Sequence, residues 1–548
     1  MNLLKKHLDS LLVGLVLLFL VVMPLLTIFV KAVVIDDSLD FSYAATALLE
    51  EGNLPMIGNS LLLGLLVVIT STAIAMPLAY LFSRTEFAMK KHFDLLFLIP
   101  FMTPPYIASM GWILFMQKRG LFAQLFPAFP NGVPAFFTLG GLVLVMSLHL
   151  FPFMLTLLRN AMANIPSSLE ESAAVMGAPF SVRMRKIFLP LLLGNYAIGA
   201  LLIFVKTLSE YGTPYTLGRR IGFDVFTTSI HRYAAVAPVS FGKAAVLASV
   251  LITICLLLWM VQNAITTRKS YSLVGGKGKR MTLTPLSPLA KAIAWGYLAF
   301  LLLLSIVIPY FSIISTSLIK LRGFGLSAGN FTLSHYAELF SETENDALSA
   351  IENSLFLGIA SATLCAILGT LIVLTVRRHK KSGKILEAQS LLPEMLPGIV
   401  LVIGIMLFWN DIYSLLPLYN TMAILVITYV ILFLPYTVQY VTSAFTQMSE
   451  SLTEAGRVFG GSSCYIFRHI TLPLILKGVC AGWMMTFIIS VRELVAPSLI
   501  APPNTLVIST YIMREFEQGS VSLGMSMAVL CVAITVSALM ILKRRMRL

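Results

Sequence analysis

The chain has 548 residues, of which 58% are hydrophobic and 12% charged, with a formal net charge of +14. A soluble globular protein carries about 25% charged residues, so that class is excluded, and a mean hydropathy of +0.89 places most of the chain in a bilayer. The surplus of Lys and Arg gathers on segments that the spacing of apolar runs puts in the cytoplasm, as the positive-inside rule requires; clusters such as Arg377–Lys381 and Lys543–Arg547 are topology anchors and not a nucleic-acid surface.

In chain order, apolar runs of bilayer-spanning length predict twelve helices. Six lie near 11–30, 60–82, 95–116, 136–158, 189–208 and 244–266, and six near 290–314, 355–376, 391–408, 422–440, 474–490 and 525–542. Leu11–Val30 is too long for a signal-peptide core and lacks a cleavage site, so it reads as a retained helix. The fold class expected is an all-α polytopic membrane protein with both termini cytoplasmic. A polar linker over 267–289, containing RKSYSLVGGKGKR, joins a first six-helix repeat (1–266) to a second (290–548). Its Gly275-Gly276-Lys277 lacks phosphate-loop spacing and a preceding strand. An even number of helices per repeat makes the repeats parallel, related by an axis along the membrane normal. Pro-rich PFMTPPY (100–106) and LPEMLPG (392–398) fall in the matching third spans and predict broken helices there. Phe223–Ala234 and Leu506–Phe516 read as external amphipathic helices and as a receiving surface for a partner.

Each repeat carries the same cytoplasmic loop. SSLEESAAVMGAPFSVRMRKIFLPLL (167–192) aligns without gaps to ESLTEAGRVFGGSSCYIFRHITLPLI (450–475), with ten of 26 positions identical; composition alone gives about two. Ser168-x-x-Glu171 and Ser451-x-x-Glu454 have capping-box spacing. Ala173 and Gly456 occupy a matched small position suited to close approach, and Gly177 and Gly460 suit a helix end turning through positive φ. Pro190 and Pro473 suit the first turn of the returning helix. Glu210 and Glu493 follow at equivalent external positions, with Tyr211 and Arg492 beside them. Ionisable groups at membrane depth point to a translocation pathway, and paired carboxylates suit a cationic cargo. The alternative is an interfacial role, with Lys206 and Glu210 pairing as i, i+4 neighbours. Five cysteines and seven histidines show no metal-ligand or catalytic spacing, so no metal site, catalytic residue or bound cofactor is expected on this chain.

Both loops resemble the EAA loop of binding-protein-dependent ABC importer permeases: Glu171-Ser172-Ala173…Gly177…Leu189-Pro190 and Glu454-Ala455-Gly456…Gly460…Leu472-Pro473. The resemblance implies that each loop docks an ATP-binding subunit, so that one chain serves two copies, with ATP and Mg on the partner, and that an extracytoplasmic binding protein delivers cargo. SEYGTP (209–214), VRELVAPSLIAPPNT (491–505) and the fused arrangement are similar to the ferric-iron transport permeases. Thiamine, polyamine, phosphonate and sulfate permeases are the related alternatives. The resemblance implies a transport subunit of the bacterial inner membrane and not an enzyme. An ion-gradient-driven transporter would explain the helices and repeats but not the doubled loop.

Overall fold

The computed structural model describes residues 2–546 apart from 36–37, 90–95, 98, 101–102, 130, 164, 269–282, 284 and 342–345, so most of the expected linker lies outside the described residues. In chain order the principal helices are α1 (Leu8–Val33), α2 (Asn53–Arg84), α3 (Pro105–Met116), α4 (Leu139–Ala163), α5 (Ser167–Val175), α6 (Leu189–Ser209), α7 (Phe226–Ala235) and α8 (Phe241–Arg268). The second series is α9 (Pro288–Leu318), α10 (Ala347–Arg378), α11 (Gly398–Asp411), α12 (Met422–Thr446), α13 (Glu450–Val458), α14 (Leu472–Val491), α15 (Ile508–Gln518) and α16 (Val521–Met546). The strands described are a two-residue antiparallel pair, Val34–Ile35 with Ser38–Leu39.

The duplication is visible element by element. Helices α2 and α10 both have 32 residues, α4 and α12 both have 25 with a proline inside (Pro152, Pro435), and α5 and α13 both have nine.

The sequence predicts about twelve spans, the third of each repeat broken at its prolines. Among the described residues, ten helices are long and apolar enough to cross a membrane, and the third span of each repeat is not one of them. In the second repeat, Lys381–Met395 meets Gly398–Asp411 at a bend of 111°. The cause is the proline-rich segment: Leu396, just before Pro397, is extended at φ −114°, ψ 151°, because a proline ring crowds the preceding residue out of the helical region. In the first repeat Pro104 precedes α3 with ψ 134°. Helices α3 and α11, of 12 and 14 residues, reach only about 18–21 Å at 1.5 Å per residue. Both are apolar on every side and buried almost throughout, as a helix without a polar face must be.

Prolines shape the other helices in a second way. Before Pro24, Pro190, Pro309 and Pro473 the chain makes a π turn, in which Met23, Leu189, Ile308 and Leu472 donate to the carbonyl five residues back. A helix-interior proline clashes with the carbonyl four residues back, and the wider turn relieves that crowding. Pro190 and Pro473 therefore sit within long continuous helices, Ser181–Ser209 and Ser463–Val491, and not at a free helix start as expected.

Two compact units divide the chain, and they cut across the sequence repeats. A first-repeat unit comprises Glu50–Ser229 and Thr253–Phe331; a second-repeat unit comprises Met1–Leu49, Ile230–Ile252 and Thr332–Leu548. The first span of each repeat is thus built into the unit of the other. Within the second-repeat unit α1 packs on α11, and within the first-repeat unit α9 packs on α3. Both contacts rest on a glycine. A Cβ at Gly404 would lie 2.6 Å from the Pro24 carbonyl oxygen, and one at Gly111 2.7 Å from that of Pro309. Small residues that let backbones touch are the usual adhesive between helices in lipid. Gly404→Val and Gly111→Val are each expected to destabilise by about 1–3 kcal/mol through overpacking, seen as a lowered midpoint of thermal unfolding in detergent.

One end of each of the same spans is tied by ion pairs of opposite polarity. Asp9 binds Arg378 at 2.8 Å and His379 at 2.9 Å in one unit, and Lys291 binds Glu86 at 3.0 Å in the other.

Candidate functional site

The two repeated loops fold alike. Helix α5 ends with Ala178 N–H donating to Ala173 C=O at 2.9 Å and Gly177 N–H to Ala174 C=O at 2.9 Å; α13 ends with Gly461 to Gly456 at 2.9 Å and Gly460 to Arg457 at 3.0 Å. These are paired Schellman bonds, which need a left-handed residue just past the helix. Gly177 and Gly460 supply it at φ 78° and 79°. Nothing lies within 4 Å of a Cβ built on either glycine, so the requirement there is conformational and not spatial.

Two sequence expectations for these loops are corrected. Neither capping box forms: α5 starts at Ser167 after Pro166, α13 starts at Glu450 after Ser449, and neither cap residue accepts a side-chain capping bond. Ser168 and Ser451 are already inside the helix, one turn from Glu171 and Glu454, which are exposed. The small residues also face inward. A Cβ on Gly456 would meet Ile470 Cδ1 at 2.9 Å and Ile466 Cγ1 at 3.2 Å, and Ala173 is half-buried. They let each short helix lie on the loop's own returning helix. The side chains presented outward flank the glycine turn: Val175 and Met176 are 89% and 87% exposed, Val458 and Phe459 84% and 90%. A matched pair of bare apolar side chains at two loop tips marks a surface that something covers. Residue identity alone did not single these out, because apolar residues are everywhere in this chain.

A residue that sequence reasoning missed holds the first loop at both ends. Arg84, the last residue of α2, is only 2% exposed. Its Nη2 donates to Met162 C=O at 2.7 Å and Ile165 C=O at 2.6 Å, and its guanidinium lies over the Phe188 ring at 5.2 Å. The two carbonyls belong to the end of α4, where backbone acceptors have no helical donors and the helix dipole is negative. Phe188 lies on the returning side. One guanidinium therefore pins the chain where it leaves for the loop and where it comes back. Its repeat equivalent, Arg378, closes α10 and turns to Asp9 instead.

At the other end of the returning helices, the expected pathway residues form matched turns. Glu210 accepts Thr213 N–H at 2.9 Å through Oε2, and Glu493 accepts Val495 N–H at 2.9 Å and Ala496 N–H at 3.3 Å through Oε1. The Glu210 carbonyl accepts the Thr227 hydroxyl at 2.8 Å, and the Glu493 carbonyl that of Ser509. Ser60 accepts Phe226 N–H at 2.9 Å, and Ser354 accepts Ile508 N–H at 2.8 Å. Both carboxylates thus cap a turn that anchors the start of α7 or α15. No carboxylate–Lys206 pair is needed to account for them. Tyr211 is buried with its ring 5.1 Å from Tyr215, and Arg492 is half-buried. Helices α7 and α15 form where amphipathic segments were expected, but α15 buries Ile508, Tyr511, Ile512 and Phe516 in its own unit. Among the described residues no cluster of His, Cys, Asp or Glu could hold a metal.

Repeated sets of long apolar helices, broken third spans and a doubled loop are features this chain has in common with ABC importer permeases, and the comparisons point the same way. Residues 354–548 match the family described as binding-protein-dependent transport system inner membrane component. Over most of its length the chain is most like ferric-iron transport permeases. It is 27% identical over 517 residues to the ferric transport system permease protein FbpB of Actinobacillus pleuropneumoniae, covering 92% of this chain and 73% of that protein. It is 24% identical over 537 residues to the Fe(3+)-transport system permease protein FbpB 2 of Haemophilus influenzae, covering 96% and 97%. A putative 2-aminoethylphosphonate transport system permease protein, PhnV of Salmonella typhi, is 26% identical over 259 residues, which is 47% of this chain but 96% of that one. About half of this chain therefore corresponds to a whole permease of the single-repeat kind.

Proposed function

We propose that this chain forms the complete translocation pathway of an ATP-driven importer of ferric iron. Two copies of an ATPase subunit seat on loops 167–192 and 450–475: Glu171 and Glu454 lie on the exposed side, Ala173 and Gly456 let each short helix pack on its own hairpin, Gly177 and Gly460 make the turn that aims the tip, and Pro190 and Pro473 lie in the returning helix. Val175, Met176, Val458 and Phe459 form the covering contact. ATP and Mg reside on those subunits, and an extracytoplasmic binding protein delivers the cargo. The observation that carries this reading is the loop built twice with the same Schellman turn and the same bare apolar tip. Iron is favoured over thiamine, polyamine, phosphonate or sulfate by likeness to ferric permeases along nearly the whole chain. The test is uptake of radioactive ferric iron into proteoliposomes holding the permease and its ATPase, with binding protein outside and ATP inside. Uptake driven by an ion gradient without the ATPase overturns the reading.

The same assay examines the pathway residues Glu210, Tyr211, Arg492 and Glu493. Replacing both glutamates by Gln keeps one acceptor oxygen for each turn while removing the charge. Uptake reduced several-fold at normal protein levels is the expected outcome if the charges act on the cargo; unchanged uptake leaves turn capping as their role.

A further inference from the structure

The first-repeat unit has a cationic pocket at the end opposite its loop. Helix α4 has 25 residues, about 37 Å at 1.5 Å per residue, with the loop at its C-terminal end. At its N-terminal end, the segment after α3 and the segment after α9 enclose a cavity of about 520 Å³ lined by Gln117, Lys118, Arg119, Gln124, Thr316 and Arg322 among others, with no Asp or Glu in the lining. The framework is fixed by hydrogen bonds. Arg322 Nη2 donates to Gln117 Oε1 at 3.1 Å, Gln124 Nε2 donates to the Arg119 carbonyl at 3.2 Å, and Leu326 N–H donates to Gln124 Oε1 at 3.2 Å. The charges themselves are left open: Lys118, Arg119 and Arg322 are exposed, and none has a carboxylate partner among the described residues.

The internal repeat shows that this is a departure and not a default. Seven residues beyond Gly404 stands Asp411, and seven beyond Pro24 stands Lys31; in the second-repeat unit these two form an ion pair at 2.9 Å. Seven residues beyond Gly111 and Pro309, at the equivalent places of the first-repeat unit, stand Lys118 and Thr316, both lining the pocket. One unit neutralises this corner internally. The other replaces the acid by a cation and adds Arg119 and Arg322. Three like charges around one cavity repel one another and gain from an anion brought among them.

We propose that this pocket seats a carboxylate-bearing surface of the extracytoplasmic binding protein, so that the first-repeat unit steers docking by charge while the second-repeat unit does not. The inference rests on the importer reading above. A protein surface is favoured over a free oxyanion because the three cations are solvent-exposed, where water and salt screen a small ion; a covering protein removes that water.

The experiment uses the assembled transporter with its ATPase in nanodiscs, and binding protein loaded with ferric iron as the probe. ATPase stimulation is titrated for the wild type and for K118E/R119E/R322E. The variant is expected to keep its basal hydrolysis and to need at least about tenfold more binding protein for half-maximal stimulation. The half-saturating concentration should rise with salt in the wild type and far less in the variant. Equal titrations and equal salt response in both proteins overturn the proposal. So does inorganic sulfate or phosphate activating the wild type but not the variant at constant ionic strength, which would make the pocket a free-anion site. Wild-type ATPase that ignores binding protein altogether fails the importer reading itself, a result distinct from either.

Discussion

Arg84→Met should abolish coupling at the first loop while leaving the protein in the membrane. The substitution removes two charge-assisted hydrogen bonds to the end of α4, from Nη2 to Met162 and Ile165, each worth about 1.5–3 kcal/mol. It also removes this donor from the Ile165 carbonyl, while Met162 C=O keeps the Ile165 N–H at 3.2 Å. The expected local cost is therefore about 3–5 kcal/mol, with the loss of the Phe188 stack added. The consequence is directional. Arg84 ends α2, a membrane helix, and grips both ends of the first loop, so it ties a third membrane helix to the loop beside the two that carry it. Uptake should fall at least tenfold while ATP hydrolysis by bound subunits persists, because the loop surface itself is untouched. Arg84→Lys should recover only part, since an ammonium lacks the planar fork that serves two acceptors and a ring together. The control is the repeat equivalent. Arg378 is 63% exposed and pairs with Asp9, so Arg378→Met should cost under about 1 kcal/mol and leave uptake near normal. Wild-type uptake and thermal stability in the Arg84 variant would refute its role.

What could be read from the sequence follows from what repeats locally. The doubled loop, the Gly177 and Gly460 turns, the matched helices and the breaks at Pro104 and Pro397 all depend on residues close together in the chain, where spacing carries the physics. Exchange of the first spans between units could not be read this way. Nothing in Leu8–Val33 says that its partner is α11, because lipid-facing and helix-facing apolar residues look the same in composition; the only trace is Gly404, a gap shaped for the Pro24 backbone. Arg84 was equally hidden. A basic residue closing a span satisfies the positive-inside rule whether it is exposed, as Arg378 is, or turns inward. The capping boxes misled for a related reason: S-x-x-E marks a helix start, but Pro166 and Ser449 cap the helices two residues earlier. The inward turn of Ala173 and Gly456 reversed the expected contact face, since a small residue permits close approach to its own hairpin as readily as to a partner.

That reversal makes the loop tips the larger target. Val175, Met176, Val458 and Phe459 are almost fully exposed, and covering such a side chain is worth about 1.5–3 kcal/mol. Each loop therefore presents roughly 3–5 kcal/mol of apolar contact to whatever seats on it. V175S/M176S and V458S/F459S keep Gly177 and Gly460, the Schellman bonds and the buried faces, so the loops should retain their shape. With one tip altered, association with one ATPase copy should weaken by about 100-fold, which is 2.7 kcal/mol; with both altered, ATPase should no longer co-purify with the permease in detergent. Ala173→Leu acts differently: it should disturb the loop's own hairpin, lowering thermal stability as well as ATPase binding. The decisive comparison is the combined tip variant. If it co-purifies with ATPase at wild-type yield and drives wild-type uptake, the exposed apolar tips are not the docking contact. If binding is lost at unchanged thermal stability, the contact lies on these four side chains, and the glycines beside them serve to aim them.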